Sequence, residues 1–326
     1  MIVKNINHKV IKKKYHVSEY KIKYLDENNN VQEIMIPNES REILDGHEIR
    51  KLAYEYISSN TVTKNPKIKK EIEKHGYCAF CEEHKELKRS HVVGNTVFSK
   101  LLKRSENGNA IRIPLSSPKK VKKDNHSWAI EMLCSECEGM FNTKFEDYAI
   151  SVLRGKNKEV KVNQMISGTS FNNIDQYRIT LYVLSMFWRG AYSIDKAYDN
   201  FIINYSMSLY LKKCFKGEER LLKNAYSIRI SKLYDRFGVF SEESIKDIII
   251  QPFVKKSRNK VSYCIIFEGF LFEIYLLAQP FKERQKKGYL NPENKILFIP
   301  LKDIFSIEGI GHIFSGALKY KDDITV

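Results

Sequence analysis

The chain has 326 residues, with 55 Lys and Arg against 39 Asp and Glu, a net charge of +16 and a pI near 9.3. With 43% hydrophobic and 12% aromatic residues it can bury one large core or two ordinary ones, so it is too long and too apolar to be a lone zinc module. The charge favours a polyanionic partner, because each Lys or Arg that meets a phosphate releases condensed counterions.

In chain order, Tyr15 to Tyr24 and Val31 to Ile36 alternate apolar and polar residues around Asp26-Glu27-Asn28-Asn29-Asn30, the pattern of a two-stranded hairpin. Ser40 then caps a predicted helix with Ile49, Leu52, Ala53, Tyr56 and Ile57 on one face, followed by a polar linker from Ser58 to Pro66 and a basic helical lead-in at Lys67. After Gly155, Asp175 caps a long amphipathic helix through Ile179, Tyr182, Val183, Met186, Phe187 and Ala191. Trp188 in it reads as core, with Arg189 snorkelling beside it. More helix is expected through Tyr210 and from Glu218 to Tyr234, then strands at Val261 to Phe267, Phe270 to Leu277 and Ile296 to Ile299.

The apolar runs Thr180 to Trp188 and Tyr263 to Ala278 are respectively too short to span a bilayer and interrupted by Glu268 and Glu273, and no signal peptide is evident. The expected setting is the cytoplasm, a reducing compartment in which paired cysteines indicate metal before disulfide. Cys214 and Cys264 stand alone in apolar surroundings and read as small buried hydrophobes.

The chemistry concentrates in the middle. Cys78-Ala-Phe-Cys81 and Cys134-Ser-Glu-Cys137 are two short-spaced pairs, each able to reach one metal from a tight turn, and four thiolates close a tetrahedral zinc shell with no position left for substrate. Between them, from Lys100 to Lys123, lie Lys100, Lys103, Arg104, Arg112, Lys119, Lys120, Lys122 and Lys123 against the single acid Glu106, a stretch suited to nucleic-acid phosphates. His91 closes a segment, Glu86 to Val93, that leaves the first pair as a strand, and an imidazole there is a candidate general base toward water. Glu138, Asn142 and Glu146 follow Cys137 at four-residue intervals, which in an α-helix stacks three oxygen donors on one face, hard ligands for Mg²⁺ or Mn²⁺.

Cys-x-x-Cys, a short hairpin ending in His91, an intervening loop, and Leu133-Cys134-x-x-Cys137 opening a helix together resemble the HNH endonucleases of the ββα-metal, treble-clef type. The resemblance covers residues 68 to 153, about a quarter of the chain. It implies that Cys78, Cys81, Cys134 and Cys137 hold a structural zinc, that His91 is the base, and that Glu138 and Asn142 hold the divalent ion at the scissile phosphate, with His126 or Glu146 as a further ligand or leaving-group stabiliser. The position before the strand histidine, commonly an acidic or histidine ligand in that family, is Ser90 here. The family's middle asparagine has Asn125 and His126 as its nearest counterparts.

The expected architecture is therefore α+β: a hairpin-and-helix part over 1–66, an HNH-like zinc module over 67–155, and a helical then β part over 156–326 with a recognition or regulatory role. The expected function is metal-dependent cleavage of DNA, in preference to RNA, in restriction or anti-phage defence, with a second copy or a defence-system protein as partner. The alternative is a zinc-stabilised nucleic-acid-binding protein with a degenerate, non-catalytic site.

Overall fold

The computed structural model describes residues 10–13, 16–25, 31–37, 75–104, 110–112, 122–124, 127–222, 225–257, 260–308 and 310. It is a mixed α+β protein of two compact units that interleave in sequence. The first takes the described residues up to Ser90, Ala129–Gly139 and Tyr192–Ile194; the second takes His91–Trp128, Met140–Ala191 and the chain from Asp195 onward.

The first unit opens with β1 (Val10–Lys13), β2 (His16–Leu25) and β3 (Val31–Pro37), an antiparallel three-stranded sheet. The predicted hairpin is its β2–β3 pair, with Leu25 opposite Val31, and β1 is a strand that the alternation did not reveal. The helix expected after Ser40, the linker and the lead-in at Lys67 lie outside the described residues. Next come β4 (His75–Tyr77) and β5 (His84–His91), paired so that Tyr77 faces His84 across the turn that carries Cys78 and Cys81. The chain then runs through α1 (Asn95–Arg104) and a short hairpin of β6 (Ala110–Arg112) with β7 (Lys122–Asp124), so the basic stretch is part helix and part ribbon. It returns with β8 (Ala129–Cys134), which joins the sheet in the order β4-β5-β8, and with α2 (Ser135–Phe141).

In the second unit the helical path continues as a π-turn over Asn142–Glu146 and then α3 (Asp147–Leu153). Where the part after residue 155 was expected to be helical first and β later, two strands precede the helix capped by Asp175: β9 (Lys161–Met165) and β10 (Gly168–Asn172) form a hairpin. Four of the five β9 residues are exposed, so the apolar signal of an edge strand was weak. The amphipathic helix is α4 (Gln176–Tyr192), and Asp175 Oδ1 caps it by accepting from the Arg178 N–H at 3.1 Å. Next is α5 (Tyr205–Lys216), capped by Asn204 and ended by Gly217 at φ 85°.

The helix expected from Glu218 to Tyr234 is instead β11 (Ser227–Tyr234). Ile228 and Ile230 on one face and Ser231 and Leu233 on the other are all buried, so a central strand shows no period of two. After α6 (Glu242–Lys246) come β12 (Ile250–Ser257), β13 (Lys260–Phe267) and β14 (Phe270–Tyr275), the short α7 (Phe281–Arg284) and β15 (Ile296–Asp303). The sheet order is β12-β13-β14-β11-β15-β10-β9, antiparallel except for the β11–β15 pair.

One face of this sheet packs on α4, with the rings of Tyr182 and Phe267 6.4 Å apart and those of Phe187 and Tyr263 4.8 Å apart. The other buries Leu233, Phe253, Ile266 and Leu271 against Ile245 and Ile304. Each such side chain contributes about 1.5–3 kcal/mol on burial. The β13–β14 turn is Glu268-Gly269, both at positive φ (51° and 76°), the two-residue turn whose twist matches its strands.

Candidate functional site

The first unit brings together the four cysteines of the two pairs, with all four Sγ atoms within 4.8 Å of one another. Backbone bonds place them. The Cys78 N–H donates to Glu83 O and Glu82 N–H returns to Cys78 O, both at 2.9 Å, closing a tight turn in which Glu82 takes φ 63°. Ala79 N–H donates to Met132 O at 3.0 Å, pinning that turn to β8, so that Cys134 and Cys137 arrive from the start of α2. The Cys81 and Cys134 sulfurs are 3.9 Å apart, against the ~3.8 Å edge of a tetrahedron with metal–sulfur bonds of about 2.3 Å.

The electrostatics fit a cation. Burial pushes the Cys81 thiol up to about 11 and the Cys137 thiol higher still. Burial acts on Cys134 in the same sense, but hydrogen bonds from the Cys137 N–H and the neighbouring sulfurs hold it below the ordinary thiol value. Four thiolates are thus not favoured side by side without positive charge, and a bound dication supplies it. Among the described residues no other group of three or more His, Cys, Asp or Glu is close enough to hold a metal.

Ser90 is buried and joins the sheet rather than a cavity: Leu133 N–H donates to its Oγ at 3.2 Å, and its hydroxyl lies 3.2 Å from Lys88 O. Lys85 forms ion pairs with Glu83 and Glu136 at the surface. Glu138 is half-buried, and among the described residues its buried Oε2 has no hydrogen-bond partner.

His91, Asn142 and Glu146 belong to the second unit. The half-buried His91 has its Nε2 3.0 Å from Ser127 Oγ and its ring 5.9 Å from that of Phe98. Ser127 precedes Trp128, whose φ of 52° is a true backbone outlier for a bulky residue, held by edge-to-face packing on Phe98 at 5.4 Å and Tyr198 at 6.2 Å. The carbonyl of His91 accepts a 2.7 Å hydrogen bond from Arg189 Nη1.

Arg189 does not snorkel: it is fully buried, 5.5 Å over the Phe141 ring, and its Nη2 is 3.7 Å from Glu146 Oε2. Alternation within an apolar helix suggested a stem with an exposed head; the buried Glu146 carboxylate instead compensates the charge inside. The single α-helical face expected for Glu138, Asn142 and Glu146 is also not what forms. Asn142–Glu146 is π-helical, a wider turn that buries Phe145 and Glu146 together. Phe145 and Phe141 pack on Phe215, and Glu146 reaches Gly94 so closely that a Cβ there would lie 1.7 Å from Oε1. Asn142 stays half-buried.

Of the basic stretch, Lys100 is paired with Glu268 at 2.9 Å and Lys103 is exposed. The backbone sets Arg112 opposite Lys122 and Ile111 opposite Lys123, and Arg104 ends α1. Lys119, Lys120 and His126 lie outside the described residues. Sequence reasoning missed Ser127, Gly94 and the buried role of Arg189. The only sign was an arginine amid a dozen apolar neighbours, which calls for an acid from elsewhere in the chain.

Among the described residues, no helix is long and apolar enough to cross a membrane. No protein-family model, no curated protein and no solved structure matches the chain.

Proposed function

We propose that the chain is a metal-dependent HNH-type endonuclease that hydrolyses DNA phosphodiester bonds, in restriction or anti-phage defence. The observation that carries the reading is the four-cysteine cluster joining the β4–β5 turn to the start of α2, because a zinc ion there would fix a strand ending in His91 and a helix carrying Glu138 by the same clamp. That zinc would be structural, since the four thiolates would fill its shell.

The half-buried imidazole of His91, oriented by Ser127 and with its carbonyl held by Arg189, accepts the proton of the attacking water. Glu138, whose buried Oε2 lacks a hydrogen-bond partner among the described residues, and Asn142 would hold Mg²⁺ or Mn²⁺, which would supply charge neutralisation at the phosphate when bound. Glu146, the further ligand that the resemblance implies, has its Oε2 3.7 Å from Arg189 Nη2, so the buried guanidinium competes with a metal ion for this carboxylate. The basic residues that the sequence places between the two cysteine pairs, Lys100 to Lys123, support a polyanionic substrate.

A second reading, zinc-stabilised nucleic-acid binding without cleavage, is favoured by Ser90 at the position where the family has a metal ligand, its hydroxyl bonded within the sheet, and by the lack of a clear counterpart to the middle asparagine. A plasmid nicking assay with Mg²⁺ or Mn²⁺ separates the two. Nuclease action requires cutting by the wild type and its loss in His91→Ala at unchanged zinc content and melting temperature. Salt-sensitive binding with no cutting selects the second.

A further inference from the structure

Within the second unit a cavity of about 350 Å³ opens between the end of α3, the β9–β10 hairpin, α6 and the Glu268-Gly269 turn. Its size suits a small ligand. Its floor is apolar, with Leu153, Val162, Phe171 and Phe270, and its walls carry five cations against three carboxylates.

The pairing of those charges shows where the excess lies. Arg154 and Lys100 converge on the buried Glu268 at 2.6 Å and 2.9 Å, two cations on one carboxylate. Burial pushes the Glu268 carboxyl up, but the hydrogen bonds from Arg154 and Lys100 outweigh it and hold the group ionised below the usual glutamate range. Lys232 and Lys246 are matched by Glu242 and Glu243. Lys156 has no carboxylate partner among the described residues. The negative end of α3 offsets about half a charge. More than one positive charge remains over an apolar floor.

The donors are held in place before any ligand arrives. Gly155 at φ 65° ends α3, with its N–H on Val152 O at 2.9 Å and the Lys156 N–H on Ser151 O at 2.8 Å, a cap that sets the direction of both Arg154 and Lys156. Thr169 Oγ1 donates to Gln164 Oε1 at 2.8 Å, which leaves the two N–H donors of the Gln164 amide for a ligand.

We propose that this cavity binds a nucleotide, its phosphate against Lys156 and the Arg154–Lys100 edge, its base over the apolar part of the lining, with Gln164 donating to the base or sugar. The excess charge selects an anion, the apolar part of the lining favours a ligand with an apolar body, and the volume limits it to a single nucleotide unit. That unit is either a free mononucleotide or one nucleotide of a strand. The proposal is independent of cleavage at His91.

Titration calorimetry of the full chain with AMP, CMP, inorganic phosphate and a short single-stranded oligonucleotide tests it, with Lys156→Glu and Gln164→Glu as variants at exposed positions that leave the fold intact. Saturable binding of a nucleotide, weakened about tenfold or more in each variant, is the expected result. Binding of the oligonucleotide alone, lost in the same variants, assigns the site to a strand. Absence of binding to all four probes, affinity unchanged in both variants, or phosphate binding as tightly as the nucleotides would overturn the proposal.

Discussion

Around the cysteines the described apolar core is thin: Phe80, Leu87, Met132 and Leu133 are buried between strands of three, eight and six residues. The seven-stranded sheet of the other unit buries side chains on both faces, from Phe267 and Phe272 on one to Ile266 and Leu271 on the other. The contrast teaches that the two units rest on different free energies. A three-stranded sheet with few apolar contacts needs a staple, whereas the large sheet is held by area removed from water.

The sharpest way to break that contrast is to deny the four cysteines the metal ion they could hold. Apparent binding free energies of structural zinc in small modules are on the order of 10–16 kcal/mol, more than a thin core supplies. Chelation, or Cys81→Ser, is therefore expected to abolish hydrogen-exchange protection in β5 and β8 while β13 and β14 keep theirs. Equal protection before and after chelation would mean that the first unit folds on its apolar contacts alone.

The second test moves the contrast inside the large unit, where one charged pair is buried among aromatic rings. Arg189 and Glu146 are 1% and 7% exposed, and removing the guanidinium takes away the cation nearest the buried carboxylate together with the bond to the His91 carbonyl. Arg189→Ala is expected to cost about 3–5 kcal/mol in urea unfolding, and the double replacement Arg189→Met with Glu146→Leu to cost less, since a hydrophobic pair of similar volume does not strand a charge. A single-variant loss no larger than that of the double would show that the guanidinium acts by filling space.

How much of this was legible in the sequence follows the same division. The cysteine spacing, the strand ending in His91, the helix opening at Cys134 and the Asp175 cap are local signals, each readable within a few residues, and each has its element in the structure. The β11 strand was not readable, because a strand buried on both faces loses its alternation, and neither was β9, an edge strand with little to bury. The π-turn escaped because four-residue spacing is also what an uninterrupted α-helix shows; only the burial of Phe145 and Glu146 together selects the wider turn. Arg189, Glu146 and Gly94 are far apart in the chain, and nothing local announces a long-range contact.

The smallest expected effect concerns Glu268, which lies in the well-packed unit yet faces a cavity. Its folded-state pKa is lower than its ordinary one, because the bonds from Arg154 and Lys100 outweigh the cost of burial. A depressed carboxyl pKa contributes stability that is fully present above the ordinary glutamate value near 4.5 and is lost as pH falls through the lower folded value. Glu268→Gln is thus expected to lower stability by about 1–3 kcal/mol at neutral pH, less than Arg189→Ala because Arg154 and Lys100 remain partly in water. The gap between variant and wild type should close as the solution is acidified from the ordinary glutamate value down through the lower folded one. Melting temperatures across that range check it. A gap that stays constant with pH would assign the loss to packing of the β13–β14 turn, and would place Arg154 and Lys100 at the cavity wall by contacts other than their shared carboxylate.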